Sequence, residues 1–395
     1  MRKICIICAY DYPIPTVKGG AVEQVVESLC KENEKKPSAE ITVLSTFDAE
    51  AESVGKGYKH TNFIYFKKSG WDNLFYFNYR VFRKLFHIYL PSRPRMIELR
   101  KWIVTHESEF DAIVFEDGLT PMAHYLLAGI DRKKVFSHMH WPGLPDKNTQ
   151  YYIGHLMPVS EYAGKEFLKN CGNEPAVTMD VLKNGIDITR FSKKMTEEEK
   201  KKLREELGIS GDAFVILYVG RIIPEKGILE LINSINMIRD RKISLVIAGA
   251  AKFGVESKTK YESEVAGAIS ESVHQVIQLG FVKNQEIYKY QNIADCAVSP
   301  SIIKEAAPLV NLEHMAAGLP LVTTNQGGTP EYAFGPGVIR VNVDDELCNA
   351  LKEAIVFLYD NPKERIRMSG EAAKTAREFT SANVFEGLLR ILSKY

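Results

Sequence analysis

Residues 214–238 read FVILYVGRIIPEKGILELINSINMI. The first six, Phe214–Val219, are apolar without alternation, as expected of a strand covered on both faces in a parallel sheet. In Ile228–Ile238 the positions Ile228, Leu231, Ile232, Ile235 and Ile238 recur with the helical period and form one apolar stripe. Between them, Gly220–Gly227 is a turn that carries charge. Strand, loop and helix in this order are half of a parallel crossover unit.

The same pattern repeats outward in both directions. Expected strands are Lys3–Ala9, Ile41–Ser45, Asn62–Phe66, Ala112–Phe115, Lys134–His138, Leu156–Val159 and Val177–Leu182. A second series runs Phe214–Val219, Ser244–Ala248, Gln275–Leu279, Cys296–Val298 and Leu321–Thr323. Sustained alternation of strand and helix predicts an α/β chain built of two Rossmann-like, doubly wound parallel sheets. Between the series lies Asn184–Lys202, with an Asn-Gly turn and the charge run Glu197–Lys202. Thr196 followed by Glu199 has the spacing of a capping box, so the run reads as the solvated face of a helix. The boundary is placed near residue 190, giving a first domain of residues 1–190 and a second of 191–379. After Asp344 only helical patterns remain, over Leu351–Tyr359, Glu364–Phe379 and Val384–Leu392. The last of these, about residues 380–395, is long enough to cross back onto the first domain.

Length and composition agree. The chain has 395 residues, too many for one core and comfortable for two domains of about 200 residues each. Apolar residues make up 45% and charged ones 26%, with 51 Lys+Arg against 50 Asp+Glu and a net charge of +1. That balance excludes a protein that coats nucleic acid, which needs surplus cations. Met1–Ala9 reads as a buried first strand rather than a signal sequence, and no stretch offers about 20 uninterrupted apolar residues. The six cysteines are sparse; Cys5 and Cys8, three apart in a strand, point to opposite faces and read as packing residues. A reducing cytoplasm is the expected compartment.

Open α/β sheets bind ligands beyond the carboxyl ends of their strands. The dinucleotide fingerprint and the P-loop are both absent from these loops, which disfavours a dehydrogenase or an NTPase. After the first strand, Lys18-Gly19-Gly20-Ala21 opens a helix; its glycines let amides approach an anion or hydroxyl, or simply make a left-handed turn. After Phe214–Val219 come Arg221 and Lys226, cations at a helix start. Cations are unfavourable there unless something negative is bound, and a diphosphate accounts for both. After Cys296–Val298 come Glu305, Pro308 at the expected first helical position, and Glu313 more than a turn into the helix. The two carboxylates are too far apart to act on one atom and suit two separate polyhydroxyl groups. Gly327-Gly328-Thr329-Pro330-Glu331 adds a turn at the same rim, and Asp344-Asp345-Glu346 reads as a helix start rather than a metal site.

These motifs resemble the retaining nucleotide-sugar glycosyltransferases of glycosyltransferase family 4, which have the GT-B fold. The match includes Gly-Arg-x4-Lys-Gly at Gly220–Gly227, the pair Glu305 and Glu313, Gly318-x-Pro320, Gly19-Gly20, Pro158-Val159-Ser160, and Asn184-Gly185-Ile186-Asp187 with Phe191. The resemblance implies two such domains facing across a cleft and transfer of a sugar, with retention, from a nucleotide-diphosphate sugar to a hydroxyl acceptor. Arg221 and Lys226 would hold the donor pyrophosphate, and Glu305 the sugar hydroxyls. The amides of Leu309 and Val310 would touch phosphate or sugar, Glu313 the ribose, and Gly19 and Gly20 the phosphate and acceptor side. A histidine at the end of a first-domain strand would meet the donor sugar; His140 is favoured over His138, the alternative being one packed and one exposed histidine. Asp117 and His138 are weaker acceptor-side candidates. No metal and no cofactor are expected; a UDP-sugar is the first choice of donor, with a glycan or lipid-linked acceptor of a cell-envelope or surface polymer. Alternatives are a GT-B sugar-nucleotide epimerase, a glycan phosphorylase or a non-catalytic nucleotide-sugar-binding partner subunit. The chain departs from the family at Glu305-Ala306-Ala307-Pro308, where Gly-Phe-Gly is usual after the first glutamate, and at His314, where Ala is common.

One stretch lies outside these motifs. Trp71–Lys101 holds eight aromatic residues and seven cations against Asp72 and Glu98 alone. It reads either as a surface for peripheral contact with an anionic membrane, on its cytoplasmic inner face, or as an ordinary amphipathic helix pair.

Overall fold

A computed structural model describes residues 1–8, 12–86, 91–116, 121–141, 151–170, 177–250 and 259–395. The chain divides into two units, Met1–Gly185 with Ser381–Tyr395, and Ile186–Thr380.

The first unit is a parallel sheet of β1 (Arg2–Cys8), β2 (Ala39–Thr46), β3 (Thr61–Phe66), β4 (Ala112–Glu116), β5 (Val135–Met139), β6 (His155–Pro158) and β7 (Thr178–Met179). Its order is β3-β2-β1-β4-β5-β6-β7, so chain direction across the sheet reverses between β1 and β4. β1 is buried from Ile4 to Cys8, because helices cover both faces. Val26, Leu29 and Cys30 of helix Ala21–Lys35 share one core with Val384, Phe385, Leu388, Ile391 and Leu392 of helix Ser381–Leu392. The last helix is thus part of this unit's core. Its end is pinned as well: the Tyr395 ring lies 4.0 Å from that of His155, and its hydroxyl donates to Asp180 at 2.9 Å.

The second unit is a parallel sheet of β8 (Phe214–Val219), β9 (Ile243–Ala248), β10 (Gln275–Gly280), β11 (Cys296–Ser299), β12 (Leu321–Thr324) and β13 (Val338–Val341). Its order, β10-β9-β8-β11-β12-β13, reverses between β8 and β11. The sequence window that decided the fold behaves as read: Phe214–Val219 is a strand, and Ile228, Leu231, Ile232 and Ile235 are wholly buried on helix Ile228–Asn236. Thr196 and Glu199 form the expected capping box.

Three details differ. β7 spans only two residues, since at the sheet edge it pairs with β6 alone. β13 is an unforeseen edge strand; four residues containing Arg340 give too short an apolar signal. The changeover between units falls at Gly185/Ile186 and Thr380/Ser381 rather than near residue 190. There Ile186 bridges Thr380 and its amide donates to Phe379 at 2.9 Å, so entering and leaving segments run side by side and helix Ile188–Phe191 belongs to the second unit.

Cys5 and Cys8 are both buried in β1 and form no disulfide with each other. Burial raises the Cys5, Cys30 and Cys296 thiols, leaving them protonated packing groups. Cys171 lies outside the described residues.

Candidate functional site

In the second unit the loops after β8 and β11 flank the point where the strand order reverses. They are joined by backbone. The amides of Ile302 and Ile303 donate to the Glu225 carbonyl at 3.0 and 3.3 Å, and the Ser301 hydroxyl donates to the same oxygen at 3.2 Å. Gly227 lies between them with φ +68°, and a Cβ there would fall on the Pro300 carbonyl oxygen. Only glycine satisfies both conditions. Gly227→Ala should therefore part the two loops, costing about 1–3 kcal/mol in stability; a variant with unchanged melting temperature would contradict this.

Across this junction Lys226 Nζ meets Glu305 Oε2 at 2.6 Å, and the two side chains are only 19% and 17% exposed. The counter-charge expected for Lys226 is thus supplied, without ligand, by the protein itself. Arg221 is exposed, and its carbonyl accepts from the buried Tyr218 hydroxyl at 2.9 Å. Glu305 is held from behind: its carbonyl accepts from the Gly328 amide at 2.7 Å, which gives the Gly327-Gly328 turn its purpose.

Pro308 caps helix Leu309–Ala316 rather than occupying its first position, so Leu309 and Val310 contribute the first free amides. Asn311 donates to Thr323 at 3.2 Å, and Thr323 to the Ser299 carbonyl at 2.9 Å, tying the helix to the ends of β11 and β12. Glu313 lies one turn on, its carboxyl pushed up to about 7 by burial against an opposing pull from Arg190. His314 is wholly buried, and burial pushes it down to about 3. Its Nδ1 faces the Gln291 amide at 3.4 Å. The unusual histidine is therefore half of an internal polar pair.

In the first unit Gly19 and Gly20 have φ +87° and +103°, and Gly20 caps helix Ala21–Lys35. A Cβ on Gly20 would fall on the Glu23 carboxylate, so the protein's own acid stands at this helix start. Glu27, farther along the helix, accepts from the Thr16 amide at 3.1 Å and pairs with Lys31 at 2.8 Å, anchoring the loop that leads to the glycines.

At the end of β4, Glu116 is in register with His138 of β5. Glu116 Oε2 lies 3.0 Å from His138 Nδ1 and 2.8 Å from His140 Nε2. His138 Nε2 is 3.4 Å from the Leu182 carbonyl, and Asn184 Nδ2 is 3.4 Å from His140 Nδ1. Burial alone would raise Glu116, but the charge and hydrogen bonds of the two histidines outweigh it and hold the carboxyl at about 2. The alternative of one packed and one exposed histidine does not hold: both histidines converge on one buried acid, with His138 wholly buried and the His140 side chain 9% exposed. Among the described residues this is also the group whose atoms could ligate a metal, lying within 4.8 Å of one another. The 2.8 and 3.0 Å separations from one shared oxygen are ordinary hydrogen-bond lengths. Asp117 lies outside the described residues.

Sequence reading brought out Lys226, Glu305, Glu313 and both histidines but missed Glu116. A lone acid ending a strand has no local signature; its signal is its place beside the histidine strand, which needs the sheet order.

Residues 199–375 match the family described as glycosyl transferases group 1. The chain is 28% identical over 312 residues, 74% of its length and 76% of the relative's, to lipopolysaccharide 1,2-N-acetylglucosaminetransferase of Salmonella typhimurium. It is 24% identical over 402 residues, 99% of both chains, to spore coat protein SA of Bacillus subtilis. Among solved structures it is similar to Anabaena Alr3699/HepE in complex with UDP-glucose, with a TM-score of 0.72 and 18% identity over the whole of both chains.

Proposed function

We propose that this chain, a GT-B glycosyltransferase, transfers a sugar from a UDP-sugar to a hydroxyl acceptor with retention of anomeric configuration and without a metal ion, in the synthesis of a cell-envelope or surface glycan. The observation that carries the reading is the Lys226–Glu305 pair on two joined loops at the strand-order reversal of the second unit. A cation and a carboxylate held 2.6 Å apart suit a ligand with a diphosphate and adjacent hydroxyls, which would engage Lys226 and Glu305 separately. Arg221 would share the diphosphate charge, and the Leu309 and Val310 amides would add N–H donors. Glu313 would accept from the ribose, His140 would meet the donor sugar, and Gly19 and Gly20 would border the acceptor. Lys226 and Arg221 would then stabilise charge as it develops on the leaving diphosphate. The HepE complex with UDP-glucose makes UDP-glucose the first donor to try.

The test has two parts. A UDP-sugar should raise the melting temperature above that seen with GDP- or ADP-sugars. Adding a hydroxyl acceptor should then release nucleoside diphosphate, with the product keeping the donor's anomeric configuration in the presence of a chelator. No stabilisation by any sugar nucleotide, together with no release, would sink the reading. Interconversion of the donor without acceptor would make the protein an epimerase.

The acceptor side has its own candidate. Helix Asp72–Phe86 exposes Leu74, Phe77 and Leu85 on one face, with Trp71 just before it and Arg80 and Lys84 alongside. The basic stretch is narrower than its composition implied: Arg95 is buried and paired with Asp72 at 3.3 Å, and Arg100 donates to the Ala128 carbonyl at 2.9 Å. We infer that helix Asp72–Phe86 rests on an anionic bilayer carrying a lipid-linked acceptor; among the described residues no helix is long and apolar enough to cross one. The protein should float with vesicles of anionic phospholipid at low salt. Trp71→Ala with Phe77→Ala should abolish flotation, and binding to neutral vesicles alone would refute the charge argument.

A further inference from the structure

The cluster at the ends of β4 and β5 is more than a pair of packed histidines. Both ring nitrogens of His138 face acceptors, the Glu116 carboxylate at 3.0 Å and the Leu182 carbonyl at 3.4 Å. Neither acceptor can bond to a lone pair, so each of these contacts calls for an N–H on the nitrogen that faces it. His140 beside it is different. Burial and the charge of His138 pull its pKa down, against the pull of Glu116, and a neutral ring has a single N–H. Its Nε2 faces the carboxylate at 2.8 Å, so the hydrogen sits there; its Nδ1 faces the Asn184 amide nitrogen at 3.4 Å and is the accepting atom. Glu116 Oε1 has no hydrogen-bond partner among the described residues, so both rings converge on Oε2.

We propose that Glu116 is a positioning residue that locks His140 in its Nε2–H tautomer, so that the Nδ1 lone pair, which faces the Asn184 amide at 3.4 Å here, is the atom offered in its place to a hydroxyl of the bound sugar. His138 is the resident cation that keeps Glu116 ionised in a buried place. The inference rests on the reading that His140 meets the donor sugar, and it adds the direction of that contact: His140 accepts and the sugar hydroxyl donates. A donor whose hydroxyl at that position is replaced by fluorine, which cannot donate, should be a poor substrate.

The test uses the full chain labelled with 15N-histidine, with signals assigned by His138→Gln and His140→Gln. The wild type should show one ring with both nitrogens protonated and one neutral ring with hydrogen on Nε2. Glu116→Gln keeps the shape and removes the charge; the doubly protonated signal should vanish and His140 should show both tautomers. kcat for nucleoside diphosphate release should fall about 10- to 100-fold in Glu116→Gln with donor KM nearly unchanged, and Glu116→Asp should restore part of it. Adding His140→Ala to Glu116→Gln should cost little more, as expected of two residues acting as a unit. A wild-type His140 with hydrogen on Nδ1 would overturn the proposal, even if Glu116→Gln fails to fold. So would unchanged tautomers in Glu116→Gln, or one equivalent of metal in the purified protein that His138→Gln releases. If the tautomers are as stated but His140→Ala turns over normally, the lock stands and the donor-sugar role of His140 falls.

Discussion

Lys226→Ala is expected to lower kcat/KM for sugar transfer by about 10²- to 10³-fold, the usual effect of losing one group that stabilises developing negative charge. The lysine is mostly shielded from water, so its charge acts through a poorer dielectric than a surface ammonium would. Its removal has a second consequence. Glu305, 17% exposed, is left as a shielded carboxylate without the partner now 2.6 Å away, and breaking one side of such a pair costs more than removing both. Lys226→Ala should therefore melt lower than wild type, whereas Lys226→Ala with Glu305→Ala should regain most of the lost melting temperature and none of the turnover. Glu305→Ala alone frees Lys226 from its partner; if Lys226 holds phosphate and Glu305 the sugar as proposed, donor KM should hold or fall while kcat drops. Initial rates of nucleoside diphosphate release and melting curves on the four proteins separate these outcomes. Equal turnover in Lys226→Ala and wild type would remove the lysine from the site.

The second large effect is one that wild type should conceal. His314 is held down at about 3 when folded, against about 6.5 when unfolded. Below pH 6.5 the unfolded chain binds a proton that the folded chain refuses, so this group withdraws about 1.4 kcal/mol of stability per pH unit as pH falls. Glu313 runs the other way. Its folded pKa is raised to about 7, against an unfolded value near 4.3, so its contribution is present at low pH and is lost as pH rises toward 7. Between about pH 4.5 and 6.5 the two slopes cancel. His314→Leu should break the balance, gaining about 2–3 kcal/mol relative to wild type as pH is lowered across that window. Glu313→Gln should lose a similar amount. Denaturant unfolding of the second unit at several pH values reads this within each variant, so a constant offset from repacking against Gln291 drops out. A pH-independent difference between variant and wild type would mean that neither residue titrates as stated.

The parts legible in the sequence are those whose signal lies within a dozen contiguous residues. Apolar period decided strand or helix in 214–238, and the capping box at Thr196 marked a helix start to the residue. Lys226 and Glu305 stood out because charge at a loop between such elements needs a reason. Edge strands β7 and β13 were misjudged because a strand paired on one side alone needs less apolar character. The exact changeover at Gly185/Ile186 has no local signal, because the bridge between Ile186 and Thr380 joins segments far apart in the chain.

Sequence alone thus determined the kinds of element, their succession and the residue types capable of chemistry, since propensity and periodicity are local properties. Which of those residues meet was decided by the tertiary structure. Lys226 finds Glu305 across 79 residues, and His138 and His140 find Glu116 across 22 and 24. These meetings follow from sheet order and parallel register, which are set by burying whole faces of strand and helix together and are written in no single window of the chain.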